Sequence, residues 1–501
     1  MRPNAATTDA TSNAPGTPDG LTVDGILRSF RETAEKVVPW FLAEMPPVYF
    51  QDTPPSAQRQ HLRAIISAVA SDQPLNFTHR SEDDRTWTML RPGNRPGVLA
   101  DLVAGLPLDL SLRAAKIHSS RDGKLVLDTF EFGDQPPYDP HDPRQVEKLK
   151  ATVAHAATAA PSWRPEAIEA WFKGCTADFV LTLTPHRMIR QHDLFARVSG
   201  LDGIAVDLDP EADGVQSRIT VAFGNARTRT MLERCARALA RHGVSINRAH
   251  LDVIKDPPHG TVTILAFVVQ TRDGGPVDAS GASWSRLKAE LLRIKWLDDQ
   301  TLGLLARKPE LDVAKAEAIV ALGVLVHQAL CPLAPFVHTR ERIAAAMEEH
   351  LTVSGAIADL LARRFDPKSP QSDAEFAKEA ARIRGEIERL SITEPARTVL
   401  GKALEAVEAT LRTNYHLPSR FCLAFRIDPK FLATPNRPEK PYGTFFVHGR
   451  GFDGFHNRFQ DIARGGLRVI RTASESQWTR EGERLFDEVY GLSWAQQLKN
   501  K

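Results

Sequence analysis

RITVAFGNARTRTMLERCARALARHGVSINRAHLDVIKDPPHGTVTILAFVV, residues 218–269, decides how the first half of the chain is read. Arg218 to Phe223 alternates as a short strand. Thr228 to Arg241 has helical spacing and ends at His242-Gly243, a left-handed stop. Val244 to Val253 and Thr261 to Val269 are strands again, joined by the turn DPPHG. The order is strand, helix, strand, turn, strand.

The same grammar occurs upstream. Thr86 to Arg91 is an expected strand, followed by the turn-rich RPGNRPG, residues 91–97. A short helix carries Val98, Leu99, Leu102 and Val103. Leu110 to His118 and Lys124 to Phe132 are expected strands about the hairpin turn Arg121-Asp122-Gly123. Between the two units, Pro143 to Ala157 and Pro165 to Lys173 read as helices, and Phe179 to Leu183 and Gly203 to Leu208 as strands. Each unit resembles an ACT domain, the second more closely. That resemblance makes Arg91, Gly93, Asn94 and Gly97 a candidate amino-acid effector loop. Read as residues alone, the two glycines equally serve a plain turn, with Pro96 opening the helix. Two related units in tandem imply a regulatory or oligomerising half.

Outside these units the pattern is helical. Residues 1–22 are rich in Thr, Asn, Pro and Ala, without an apolar stretch, and are expected to be a disordered arm. Val23 to Leu42, with Asp24 as a cap, and a segment from Ser56 to Val69 form two N-terminal helices, separated by Pro46-Pro47. From Ser283, a candidate cap, Leu287, Leu291, Ile294 and Leu297 make one stripe. Leu311–Leu330, Thr339–His350, Ser354–Phe365, Asp373–Leu390 and Pro395–Tyr415 continue the block as helices. Strands return at Phe421–Phe425 and Gly443–Gly449.

The expected fold class is thus α+β and multidomain. It comprises the arm, a helical segment (23–75), two ACT-like βαββ modules (80–160 and 161–275), an all-α block (282–417) and the beginning of an α/β domain (418–501). At 501 residues such a division is ordinary, since domains average roughly 100–200. A net charge of +2 gives no nucleic-acid footprint. No apolar run approaches the roughly 18 residues that span a bilayer, so no membrane partner is expected. Cys175, Cys235, Cys331 and Cys422 form no CxxC pair and read as free thiols of a cytoplasmic protein. His327 and His338 have no thiol or carboxylate at metal-ligand spacing, so no metal site is expected.

The chemistry-bearing segment is the last. GRGFDGFHNRF, residues 449–459, supplies backbone freedom with positive charge, and ARGGLR, residues 463–468, repeats the combination. Gly465-Gly466 lets the main chain approach a ligand, and Arg464 and Arg468 offer planar donors suited to carboxylates. A structural turn with two solvated arginines fits the same spacing. Leu485 to Lys501 reads as a helix on which Gln496 and Lys499 project together.

The ordered blocks FCLAFRIDPKFL (421–432), GRGFDGFHNRFQDIARGGLR (449–468) and LFDEVYGLSWAQQLKNK (485–501) resemble the large NAD-dependent glutamate dehydrogenases with a long N-terminal half. The resemblance implies oxidative deamination of L-glutamate to 2-oxoglutarate and ammonia, NAD as cofactor and a homo-oligomer. It implies that Arg464, Gln496 and Lys499 hold the substrate carboxylates, with Gly465, Gly466 and Arg468 supporting them. The family's catalytic lysine is expected shortly beyond Lys499, past Lys501, so no catalytic residue is assigned. No G-x-G-x-x-G follows a strand. A fragment inactive on its own is therefore expected. Two departures stand out: many relatives have Lys where Arg464 stands, and RTASESQWTREGER (471–484) lengthens the path from loop to helix. The alternative expectation is a non-enzymatic, amino-acid-sensing regulator of ACT type.

Overall fold

The computed structural model describes residues 23–458, apart from 82, 108–109, 161–162, 258, 332, 419 and 433–442, together with residues 468–469. Three helices come first: α1 (Val23–Glu44), α2 (Pro47–Asp52) and α3 (Pro55–Ala70). Then come β1 (Phe77–Arg80), β2 (Thr86–Pro92), α4 (Val98–Ala104), β3 (Leu112–Ser119) and β4 (Leu125–Phe132). Helices α5 (Pro143–Ala159), α6 (Pro165–Gly174), α7 (Ala177–Thr182) and α8 (Pro185–Val198) precede β5 (Ile204–Pro210), β6 (Ser217–Gly224), α9 (Thr228–Arg241), β7 (Val244–Asp256) and β8 (Gly260–Thr271). The helical block runs α10 (Ala282–Leu291), α11 (Asp299–Arg307), α12 (Val313–Leu330), α13 (Arg340–Glu349), α14 (Leu351–Arg364), α15 (Asp373–Arg389) and α16 (Glu394–Glu408). Last are β9 (Thr410–Thr413), β10 (Cys422–Ile427), β11 (Gly443–Gly449), β12 (Phe452–Arg458) and β13 (Arg468–Val469).

Both βαββ units form, and they share one sheet. Its order is β1-β2-β4-β3-β7-β8-β6-β5, every pair antiparallel. The seam is the β3–β7 pair, in which Lys116 faces His250 and His118 faces Arg248. Read outward from it, the order mirrors: β4 then β2 on one side, β8 then β6 on the other. Alternation separates the two faces. Ala115, Ile117, Ala249 and Leu251 pack with α4 and α9. On the opposite face, Leu90, Leu125 and Leu127 meet α1 to α3, and Ala222, Val262 and Ile264 meet α6 to α8.

The block is built around α12. Apolar on nearly all sides, it is the one described helix long and apolar enough to cross a membrane, yet two-thirds of it is buried inside the fold. The expectation that no run approaches that length therefore needs correcting. The physical reason for the composition is burial: α11, α13, α14, α16 and the second sheet surround it. That sheet has the order β13-β12-β11-β10-β9, antiparallel throughout. One continuous core reaches from α4 and α9 through the block to Phe425 and Phe446.

Several elements differ from the sequence reading. Phe179–Leu183 is no strand. Thr176 caps α7 by accepting from the Phe179 amide, and Phe179 and Val180 bury against Trp171 and its neighbours. A five-residue apolar run does not separate the two periods. The helix expected to reach Tyr415 stops at Glu408, because Thr410–Thr413 pairs with β10. Tertiary pairing overrides helical propensity there. Gly281, rather than Ser283, is the N-cap of α10. Elements β1, α2, α8 and α11 lie where no element was expected. The Gly-rich stretch from Gly449 is a hairpin, with Gly451 turning at φ +84° and Gly454 buried opposite Val447.

Candidate functional site

Arg464, Gly465, Gly466, Gln496 and Lys499 lie outside the described residues, as do residues 1–22 of the expected arm. Arg468 opens β13, which pairs Phe455 with Arg468 and Gly454 with Val469. In chain order, residues 459–467, with Arg464 among them, join β12 to β13. What is described is the sheet, here the platform, whose strands β12 and β13 flank that connection in the chain.

The platform is fastened to the helical block by buried charge. His448 and Asp453 are opposite one another across the β11–β12 hairpin. His448 Nδ1 lies 2.6 Å from Asp453 Oδ1, and Nε2 lies 3.1 Å from Asp298 Oδ2. Arg340, at the start of α13, donates to Asp453 Oδ2 at 2.5 Å. Asp298 also caps α11, accepting from the Gln300 and Thr301 amides and the Thr301 hydroxyl. Burial alone would lower the His448 pKa, but Asp298 and then Asp453 overcome it and hold the imidazole up to about 9. Burial would likewise raise the two carboxyls; His448 instead holds Asp298 well below the usual range, and His448 with Arg340 depresses Asp453. Imidazolium and carboxylates are thus the stable forms near neutral pH.

A second group lies beside β10. Glu317 on α12 accepts from Arg293 at 2.6 Å and from Arg420 at 2.7 Å. Arg293 also donates to the Arg420 carbonyl, and Arg420 to Tyr415 O at 2.6 Å. All three charged side chains are buried. Neither group was found by sequence reasoning. Asp298 and His448 are 150 residues apart, and no local pattern joins them. The one local signal was a His and an Asp symmetrically placed about the short turn Gly449–Phe452.

The candidate effector loop is fully described. Arg91 lies at the end of β2, its guanidinium donating to Phe77 O at 3.1 Å and Leu90 O at 2.8 Å. Gly93 and Gly97 take φ of +73° and +100°, which explains why glycine stands at both. Gly97 also sits close to α9, where an added Cβ would be 3.9 Å from Ala240. Asn94 crosses the seam: its amide donates to Ile246 O at 3.0 Å and to Asn247 Oδ1 at 3.2 Å. Beneath the loop is Asp128, on the face covered by α4 and α9, beside Ile117 and Met89. Both its oxygens lack a hydrogen-bond partner among the described residues, and burial pushes its pKa well above the carboxylate range. Asn94, Gly97, Asp128, Val126 and Ile246 line a cavity of only about 10 Å³, room for one water at most. Arg91 does not line it.

Residues 383–501 match a family model described as bacterial NAD-glutamate dehydrogenase, catalytic domain. The C-terminal part of the chain is thus similar to the NAD-dependent glutamate dehydrogenases. Similar proteins include glutamate dehydrogenase 2 of Dictyostelium discoideum, 47% identical over 91 residues, or 18% of this chain and 9% of that one. The NAD-specific glutamate dehydrogenase of Neurospora crassa is 44% identical over 93 residues, 19% of this chain and 9% of its own. That of Halomonas elongata is 29% identical over 167 residues, 32% and 10%. The matched region therefore spans about a tenth of these relatives, which are named as NAD-specific in two cases. The matched part begins within α15, so α16 and the second sheet with its His448 anchor lie inside it.

Proposed function

We propose that this chain is part of an enzyme that oxidatively deaminates L-glutamate to 2-oxoglutarate and ammonia, with NAD taking the hydride. The observation that carries the reading is the family match over residues 383–501, which contains the A-R-G-G-L-R loop and the Q-x-x-K spacing in order. Arg464, Gln496 and Lys499 hold the two carboxylates, so that the α-hydrogen faces the nicotinamide. Gly465 and Gly466 let the backbone close on the ligand, and Arg468 supports the loop. The buried anchors of His448 and Glu317 keep rigid the sheet whose strands flank that loop in the chain. Titration calorimetry of the 501-residue chain with 2-oxoglutarate tests this. Saturable binding is expected, weakened about tenfold or more by Arg464→Ala, since one charge-assisted pair contributes about 1.5–3 kcal/mol. Equal binding by the variant overturns the assignment.

A second reading concerns regulation, and Asp128 favours it. The two βαββ units are ACT-like and bind an amino-acid effector between the Asn94–Gly97 loop and β7. The buried carboxyl without a partner supplies the counter-charge for an α-ammonium. The cavity must widen to admit it, by a parting of α4 from α9. Calorimetry with an amino-acid panel, repeated on Asp128→Asn, tests this; binding unaffected by the substitution removes Asp128 from the site.

A further inference from the structure

A second cavity, of about 220 Å³, lies between α11, α12 and α13, away from the seam. Its floor is apolar and buried: Leu304, Ile319, Val324 and Met347. The room exists because Gly303 and Gly323 present no side chains; a Cβ at Gly323 would come no nearer than 3.8 Å to Ile343. Closed apolar cavities of about 150 Å³ already hold benzene, so the size admits a compact branched or aromatic body.

The charges around it are nearly all matched. Arg307 grips Glu348 through two bonds of 2.7 Å, and Asp299 takes Arg234 at 2.8 Å. Arg340 is the exception. Its Nη2 is engaged by Asp453, while Nε and Nη1 have no acceptor among the described residues, and 18% of the side chain is exposed. A guanidinium edge above an apolar floor is a carboxylate site with a hydrophobic end. The two described carboxylates that line the cavity, Asp299 and Glu348, are each already paired to an arginine, so a cation entering there would find neither free.

We propose that the α11–α12–α13 cavity binds a small monocarboxylate with a branched or aromatic body, its carboxylate on Arg340 and its body over Leu304 and Met347. Because Arg340 also holds Asp453, the ligand shares a side chain with the β11–β12 hairpin. The site uses none of the residues assigned in the glutamate reading and does not depend on it.

Titration of the 501-residue chain with 4-methylpentanoate is the test. One saturable site is expected, with the neutral 4-methylpentanamide weaker by about tenfold or more. Arg340→Met should weaken the acid selectively, but it also strips Asp453 of a partner and risks the fold. Ala344→Phe avoids that risk, since Ala344 lines the cavity and is exposed at its mouth. It should leave the unfolding temperature unchanged and weaken the acid by about tenfold or more. Absence of saturable binding, equal binding of acid and amide, or full binding by a folded Ala344→Phe variant each overturns the proposal.

Discussion

Two buried polar regions of this molecule follow opposite rules. At the junction of helical block and second sheet, every buried charge has a counter-charge: Glu317 with two arginines, and His448 with two carboxylates. At the β3–β4 strands of the first sheet, Asp128 and His118 are buried just as deeply with no hydrogen-bond partner among the described residues. Burial has driven both into their neutral forms, Asp128 upward and His118 down to about 3. Paired charge fastens elements whose positions matter. Orphaned polar groups destabilise the closed state.

The comparison breaks most readily at Glu317. Glu317→Ala leaves Arg293 and Arg420 buried and facing one another, and should cost about 3–5 kcal/mol in urea unfolding. A loss below about 1 kcal/mol would mean that the two guanidiniums are not truly desolvated.

The His448 anchor gives the next largest effect, and it depends on pH. Its folded pKa of about 9 lies above the unfolded value near 6.5. The stabilisation is therefore fully present below about pH 6.5 and lost as pH rises through about 9, amounting to about 3 kcal/mol. The depressed pKa values of Asp298 and Asp453 act in the other direction, adding stability above about pH 4 that disappears in acid. His448→Gln should flatten the alkaline limb of the stability curve; an unchanged limb would show that the imidazole is neutral in the fold.

Smallest, and opposite in sign, is the change at Asp128. Its pKa is raised, so the folded state favours the protonated form, and stability falls as pH rises above the unfolded carboxyl value. Asp128→Leu should stabilise the chain by about 1–3 kcal/mol at neutral pH. It should do little near pH 3, measured by urea midpoints at both values. Destabilisation at neutral pH would mean that the carboxyl does have a partner in solution.

Local pattern was enough for much of the fold. In the strands of both βαββ units alternate residues share a face, so Ile219, Val221 and Phe223 group together against α4 and α9, and Thr228–Arg241 was bounded to the residue. Where local pattern failed, a distant partner decides. Thr410–Thr413 becomes a strand because β10 lies alongside, and Phe179 enters a helix because Thr176 caps it. The candidate site divides the same way. Arg464, Gln496 and Lys499 stand in a motif legible by its order. Asp298, Arg340 and Asp453 converge on β11 from three separate places in the chain, and no spacing rule reaches them.

The mirrored sheet has a further consequence. In a symmetric pair of separate subunits, any substitution is made twice, and both loops must serve equally. Here the two halves are consecutive in a single polypeptide, and they have diverged. Asn94 reaches over the seam to Ile246, whereas Asn225, at the equivalent strand-to-helix turn of the second unit, accepts from Thr261 of its own hairpin. A Cβ on Gly224 would lie 1.9 Å from the Leu201 carbonyl, so that turn is filled by its neighbours. Heredity can therefore tune one half of the pair while the other is left to hold it in place.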